Sequence, residues 1–267
     1  MNWPKNTFDM KMKDIIKINL IASFFFLGVI LQGQEKKLVW EENFDGAALN
    51  EEVWNFELGD GCPHMCGWGN NEKQIYTREN HRIKDGFLFI TARKEGAKYT
   101  STRITTKGKK EFKYGRMEAR LKLPLGTGVW PAFWMLGSNI DKVGWPMCGE
   151  IDIMEYVGRE PGTLFTTLHT KDSHGNSKNT RKAAVSGIDE GFHTYAAEWT
   201  ESEIRFFVDG EHFYTFEPEN NSEEVWPFDQ PFYFLLNLAI GGNFGGKEVD
   251  DSIFPVEYVI DYIRVYQ

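Results

Sequence analysis

From residue 36 onward the chain is written in short β-patterned runs separated by turn signals, and no amphipathic stretch of three helical turns interrupts them. Asp85 and Gly86 precede the apolar run Phe87–Ala92. Residues Lys113–Leu123 alternate, with Tyr114, Arg116, Glu118 and Arg120 on one face and Met117, Ala119 and Leu121 on the other. Asp209 and Gly210 separate Ile204–Val208 from His212–Phe216 as a hairpin turn would. Phe232–Ala239 is almost continuously apolar, the pattern of a strand buried on both faces, and Tyr258–Tyr266 alternates again. With no composition break, repeat or linker, the pattern predicts one all-β sandwich or barrel over residues 34–267. Aromatic residues make up 15% of the chain, beside 26 Gly and 10 Pro, which suits a turn-rich β protein or a carbohydrate binder.

Residues 1–33 do not fit that pattern. Lys5, Lys11, Lys13 and Lys17 precede a twelve-residue apolar run, Leu20–Leu31, that is short for a bilayer span and gives way to polar sequence. This is the layout of a secretory signal peptide, so the protein is expected to be secreted or periplasmic, with no membrane association after cleavage. The segment carries four Lys and two Asp, so its removal takes the net charge from -9 to -11. A surface that tracks phosphates needs the opposite sign, which argues against nucleic acid as a partner. Cys62 and Cys66 could close a small disulfide loop in an oxidising compartment, leaving Cys148 free. They could equally be small apolar residues in a packed loop, and no second ligand pair supports zinc.

The chemistry concentrates between Trp130 and Glu155. Gly149–Glu155 (GEIDIME) begins as strict alternation, with Glu150 and Asp152 on one face and Ile151 and Ile153 on the other. Continuing that period would bury Glu155 in the core and expose Met154, at a high desolvation cost. One inserted residue resolves the conflict: a β-bulge tucks in Met154 and returns Glu155 to the face of the other two acids. Three carboxyls in a row repel one another and raise at least one pKa. Chemistry that needs one carboxyl ionised and another protonated at the same pH is glycoside hydrolysis. Trp130, Trp134 and Trp145 lie close by in sequence, and flat aromatic faces beside acids suit sugar rings.

These residues resemble the signature of glycoside hydrolase family 16, in its laminarinase-like branch. The match rests on Gly128–Gly137 (GVWPAFWMLG) followed by Gly149–Glu155. It extends through Trp40–Gly46, Gly67–Glu72, Tyr114–Arg120, Val208–Gly210, Leu236–Gly242 and Asp261–Tyr266 in family order. The resemblance implies a β-jelly roll of two curved antiparallel sheets with a substrate cleft on the concave face. It implies Glu150 as nucleophile, Glu155 as general acid/base, Asp152 orienting Glu150, and His169 near Glu155 supporting its protonation. Trp130, Trp134 and Trp145 would be stacking surfaces, with Asn71 and Arg103 contacting sugar hydroxyls. No cofactor is expected for catalysis; a structural Ca²⁺ would be held by Asn43, the Gly86 carbonyl and Asp261. The resemblance implies a monomer that hydrolyses internal β-1,3-glucosidic bonds with retention. Mixed β-1,3/1,4-glucans and agar or porphyran galactans are the alternative substrates, and a non-catalytic β-glucan-binding protein is the alternative of another class.

Overall fold

The computed structural model describes Met1 and residues 36–267; apart from Met1, the leader assigned to residues 1–33 lies outside the described residues. Residues Lys36–Gln267 pack as one unit. Its strands, in chain order, are β1 (Leu38–Glu42), β2 (Asn55–Glu57), β3 (Gln74–Tyr76), β4 (His81–Lys84), β5 (Phe87–Glu95) and β6 (Lys98–Ser101). There follow β7 (Arg103–Thr105), β8 (Glu111–Phe112), β9 (Gly115–Lys122), β10 (Val129–Gly137), β11 (Glu150–Tyr156) and β12 (Thr163–His169). The last six are β13 (Thr180–Ala184), β14 (His193–Trp199), β15 (Ile204–Val208), β16 (Glu211–Phe216), β17 (Phe232–Ile240) and β18 (Val256–Tyr266). Among the described residues the α-helical segments are two four-residue turns, Ile140–Val143 and Gly242–Gly245.

Two sheets form. One runs β16-β15-β14-β9-β18-β5-β6-β3, with β1 on β18 and β4 on β5; the other runs β13-β12-β11-β10-β17-β7-β2, with β8 on β17. Ladders are antiparallel throughout the described residues except the short β3–β6 pair. The two-residue Asp209–Gly210 turn closes the β15–β16 hairpin, with Val208 opposite Glu211, as the sequence predicts. Alternation sends Met117, Ala119 and Leu121 of β9 into the same core as Phe133 and Met135 of β10 and Phe234, Leu236 and Leu238 of β17. That shared core lies between the sheets and makes the molecule a sandwich.

Every residue of β17 is buried, because its outer face is covered as well: Tyr233 and Leu235 pack with Leu136 and Cys148 in a second cluster. The alternation expected over Tyr258–Tyr266 slips once. Core positions are Tyr258 and Ile260 before the slip and Ile263 and Val265 after it, with the register shift between Ile260 and Tyr262. The extra residue is Asp261, which leaves the inward side and meets Arg120 of β9. The cysteine alternatives resolve as a Cys62–Cys66 disulfide, with Cys148 free and buried.

Candidate active site

The acidic strand β11 lies between β10 and β12, and both ladders shift register across it. Met154 pairs with Phe133 and Asp152 with Trp134; on the other side Asp152 pairs with Thr167 and Glu155 with Phe165. One residue of β11 is therefore extra, between Asp152 and Glu155. Ile151, Ile153 and Met154 all point into the shared core, so Glu150, Asp152 and Glu155 project from the opposite face. Gly149 opens the strand at φ 78°, and a side chain there would press on Pro227 and Phe232, so glycine is required.

Neighbouring indoles cover this row of acids. Trp145 donates its Nε1–H to Glu150 Oε2 at 2.6 Å, and Trp130 donates to Glu155 Oε1 at 3.0 Å. Asp152 is 3% and Glu155 8% exposed, so the two carboxyls furthest along the row are nearly dry. Burial is the main cause that lifts the Asp152 carboxyl well above the usual range, and the Glu150 charge and hydrogen bond add to it. Burial also leads at Glu155, with Asp152 next; the His169 charge and the Trp130 N–H pull the other way without winning. The row therefore holds its protons more tightly than free carboxyls would.

His169 closes β12 beside the row of acids. The antiparallel register sets it opposite Glu150, and its Nε2 lies 3.3 Å from Asp152 Oδ2, while Phe165 takes the position opposite Glu155. The pairing with Glu150 is set before the bulge, and the bulge brings Glu155 one position nearer the His169 end of β12, opposite Phe165 where unbroken pairing would set it opposite Leu164. Glu150, Asp152 and His169 are the described His, Cys, Asp and Glu side chains that come close enough to share an ion, with ligating atoms within 4.8 Å of one another.

Trp130 and Trp134 project from β10 on the acidic face. Trp130 meets Phe244 edge to face at 5.3 Å, and Trp134 donates its Nε1–H to Asn237 Oδ1 at 2.7 Å. Trp145 is the exposed one, at 44%, with His174 against its edge at 5.3 Å. Arg103 is buried; its guanidinium lies between the rings of Trp68 (4.6 Å) and Trp134 (4.9 Å) and pairs with Glu57. Asn71 is exposed and donates to Asn243 Oδ1 at 2.9 Å, tying its loop to the Gly242–Gly245 turn.

Sequence reasoning missed Trp68, Glu57, Phe244, His174 and Asn237 as parts of this face. Asn237 had a readable signal, a lone amide in an otherwise apolar strand; Trp68 lay inside a quoted block from which Asn71 alone was taken.

The positions assigned to calcium belong to the sheet that does not contain β11. Asn43 follows β1, Gly86 precedes β5, and Asp261 lies in β18, the strand with which both pair. Asp45 Oδ1 approaches within 3.7 Å of the position a Gly86 side chain would take, so the loop after β1 does reach the turn before β5. Asp261 Oδ2 is engaged by Arg120, which a cation at this place would have to share.

Comparison with known proteins agrees with the geometry. Residues 69–263 match the family described as glycosyl hydrolases family 16. The chain is 40% identical to a beta-glucanase of Rhodothermus marinus over 283 residues, covering 97% of each. A laminarinase crystal structure from Flavobacterium sp. UMI-01 superposes with a TM-score of 0.85 at 64% identity, over 86% of this chain and all of that one. An endo-beta-1,3-glucanase structure from Pyrococcus furiosus gives 0.81 at 43% identity, over 87% and 94% of the two chains. The β-sandwich is accordingly a jelly roll, and the chain belongs to glycosyl hydrolases family 16.

Proposed function

We propose that the protein is an exported endo-β-1,3-glucanase that cleaves internal bonds of laminarin-like glucans with retention of configuration. The observation that carries the reading is the bulged row Glu150, Asp152 and Glu155, two of whose carboxyls are almost fully buried and held above the ordinary range. Glu155, kept protonated, gives its proton to the leaving oxygen while Glu150 attacks the anomeric carbon. Glu155 then takes a proton from the water that releases the sugar. Trp145 steadies the attacking carboxylate through its N–H, a charge-assisted hydrogen bond. Asp152, between the two, keeps Glu150 oriented and its charge helps hold the proton on Glu155. His169 holds the Asp152 carboxyl in place from its far side. No cofactor enters the scheme.

Trp130, Trp134 and Trp145 provide stacking faces, and Asn71 and Arg103 reach sugar hydroxyls. The net negative charge argues against sulfated galactans. Reducing-end assays on laminarin, lichenan, agarose, porphyran and carboxymethylcellulose test the reading. Laminarin is expected to be the best substrate, lichenan a weaker one, and no release from laminarin would overturn it in favour of a glucan-binding protein.

The same reading takes residues 1–33 as a cleaved leader and 34–267 as one catalytic domain that works as a monomer. N-terminal sequencing of the exported protein and light scattering check these two points. Asn43, the Gly86 carbonyl and Asp261 would hold a structural Ca²⁺, for which oxygen donors are suited. Bound there, the ion would tie β1, β5 and β18 together. Added calcium should then raise the melting temperature of chelator-treated protein without changing kcat.

A further inference from the structure

We propose that Glu72 is a positioning residue for Trp134, acting through Tyr76 and Asn237, and that it thereby sets the affinity of the cleft for polysaccharide. The inference rests on the reading of Trp134 as a sugar-stacking face. Its own observation is a chain of hydrogen bonds whose direction is fixed at every step. The indole N–H of Trp134 can only donate, and it donates to Asn237 Oδ1 at 2.7 Å. That orients the Asn237 amide, so Nδ2 turns to the Tyr76 hydroxyl oxygen at 3.2 Å. The hydroxyl oxygen accepts there, and its proton goes on to Glu72 Oε2 at 3.2 Å.

A carboxylate ends the chain well, because it accepts without having to donate. Glu72 is fixed by Gln74 Nε2 at 2.6 Å, and Gln74 in turn accepts the backbone N–H of Ile240 at 2.7 Å. The relay thus begins on β10, crosses β17 and ends in the segment leading into β3, with Ile240 of β17 bracing its last member. Tyr76 is 1% and Asn237 5% exposed, so water cannot replace a lost partner cheaply. None of these groups takes part in the proposed proton transfers. Their effect is on the edge of the Trp134 ring, whose face already rests near the Arg103 guanidinium.

The test compares Glu72→Leu, Glu72→Gln, Tyr76→Phe and the double variant Glu72→Leu/Tyr76→Phe with Trp134→Ala. Binding is measured by calorimetry with laminarin oligosaccharides on a Glu150→Gln background, and kcat and KM are measured without it. Glu72→Leu and Tyr76→Phe should each raise Kd and KM about tenfold, the size of one buried unmet hydrogen bond, with kcat within about twofold. The double variant should be no worse than the poorer single one, since a chain is broken only once. Glu72→Gln keeps one acceptor oxygen and should fall between; being nearly isosteric, it serves if the leucine variant does not fold. If Trp134→Ala weakens binding but the Glu72 and Tyr76 variants do not, the relay is overturned. Losses that add in the double variant, or that fall on kcat as much as on KM, overturn it too. If Trp134→Ala leaves Kd unchanged, the stacking role of Trp134 fails and takes the relay with it, while hydrolysis of laminarin would still stand.

Discussion

Trp145 lies five residues before Glu150 and returns to donate its indole N–H to that carboxylate at 2.6 Å. The contact is possible because the chain turns sharply through Gly144–Gly149 before β11 begins, with Cys148 N bonded to Gly144 O and Gly149 N to Pro146 O. Trp130 makes the equivalent contact with Glu155 from the neighbouring strand. The two glutamates are thus each held by one indole, but from different directions and with different exposure: Trp130 is half-buried and Trp145 largely open.

Removing the first of these hydrogen bonds should slow chemistry more than binding. Trp145→Phe keeps an aromatic face and loses the N–H. A hydrogen bond to a charged group contributes about 1.5–3 kcal/mol, and the exposure of Trp145 favours the lower end. A fall in kcat of about tenfold is expected, measured on laminarin at saturation. Glu150→Gln, by contrast, should lose activity by many orders while still binding substrate, because no other group can form the covalent intermediate. Turnover by Glu150→Gln within tenfold of wild type would exclude Glu150 as the nucleophile.

The pH profile should respond to Asp152. Its charge is the second cause, after burial, that raises the Glu155 carboxyl. Asp152→Asn removes that charge, so Glu155 should lose its proton at lower pH. The alkaline limb of kcat/KM should therefore move to lower pH, measured on laminarin across the bell. An unmoved limb would mean that Asp152 does not act on the proton of Glu155.

Stability should carry the same sign. Asp152 and Glu155 both have folded-state pKa values above those of the unfolded chain, so the native state binds their protons more tightly. Their contribution is whole below the ordinary carboxylate range, near 4, and is lost as the pH rises through the raised folded values. The neutral amide of Asp152→Asn avoids that loss. Its melting temperature should match wild type in acid and exceed it by about 3 °C or more at pH 8, by calorimetry. A lower melting temperature at pH 8 would show that hydrogen bonds to the carboxylate outweigh its burial cost.

How much of this was legible in the sequence depends on range. The bulge was, because alternation and the cost of burying Glu155 are local facts about seven residues. The Asp209–Gly210 hairpin was legible for the same reason. The sheet order was not: β9 lies between β14 and β18, and no local pattern encodes pairing between strands so far apart in the chain. His169 shows how the two limits meet. Its place near the acids could be read, but its contact with Asp152 follows from the long-range register that sets His169 opposite Glu150. The slip at Asp261 was hidden because Tyr258–Tyr266 alternates well enough to pass for an unbroken strand. Arg103 could be named, but its position between Trp68 and Trp134 needed three strands and a loop to be assembled first.

Glu155 allows the sharpest test of roles within the row. If it protonates the leaving oxygen, its removal should matter most where the leaving group is poor. Glu155→Ala should hydrolyse laminarin very slowly, by about 10²–10⁴-fold relative to wild type. An aryl glycoside with an acidic phenol needs little protonation, so formation of its glycosyl-enzyme should be far less impaired. Release of that intermediate also needs Glu155, as base, and the intermediate should accumulate. Azide requires no general base; added to Glu155→Ala, it should restore turnover and yield a β-glycosyl azide of retained configuration. With Glu150→Ala it should enter the vacated nucleophile site instead and give the inverted α-azide. The two products are distinguished by the anomeric coupling in proton NMR. If Glu155→Ala slows both substrate types equally and azide rescues neither, Glu155 is not the acid/base, and the bulge serves only to keep Met154 in the core.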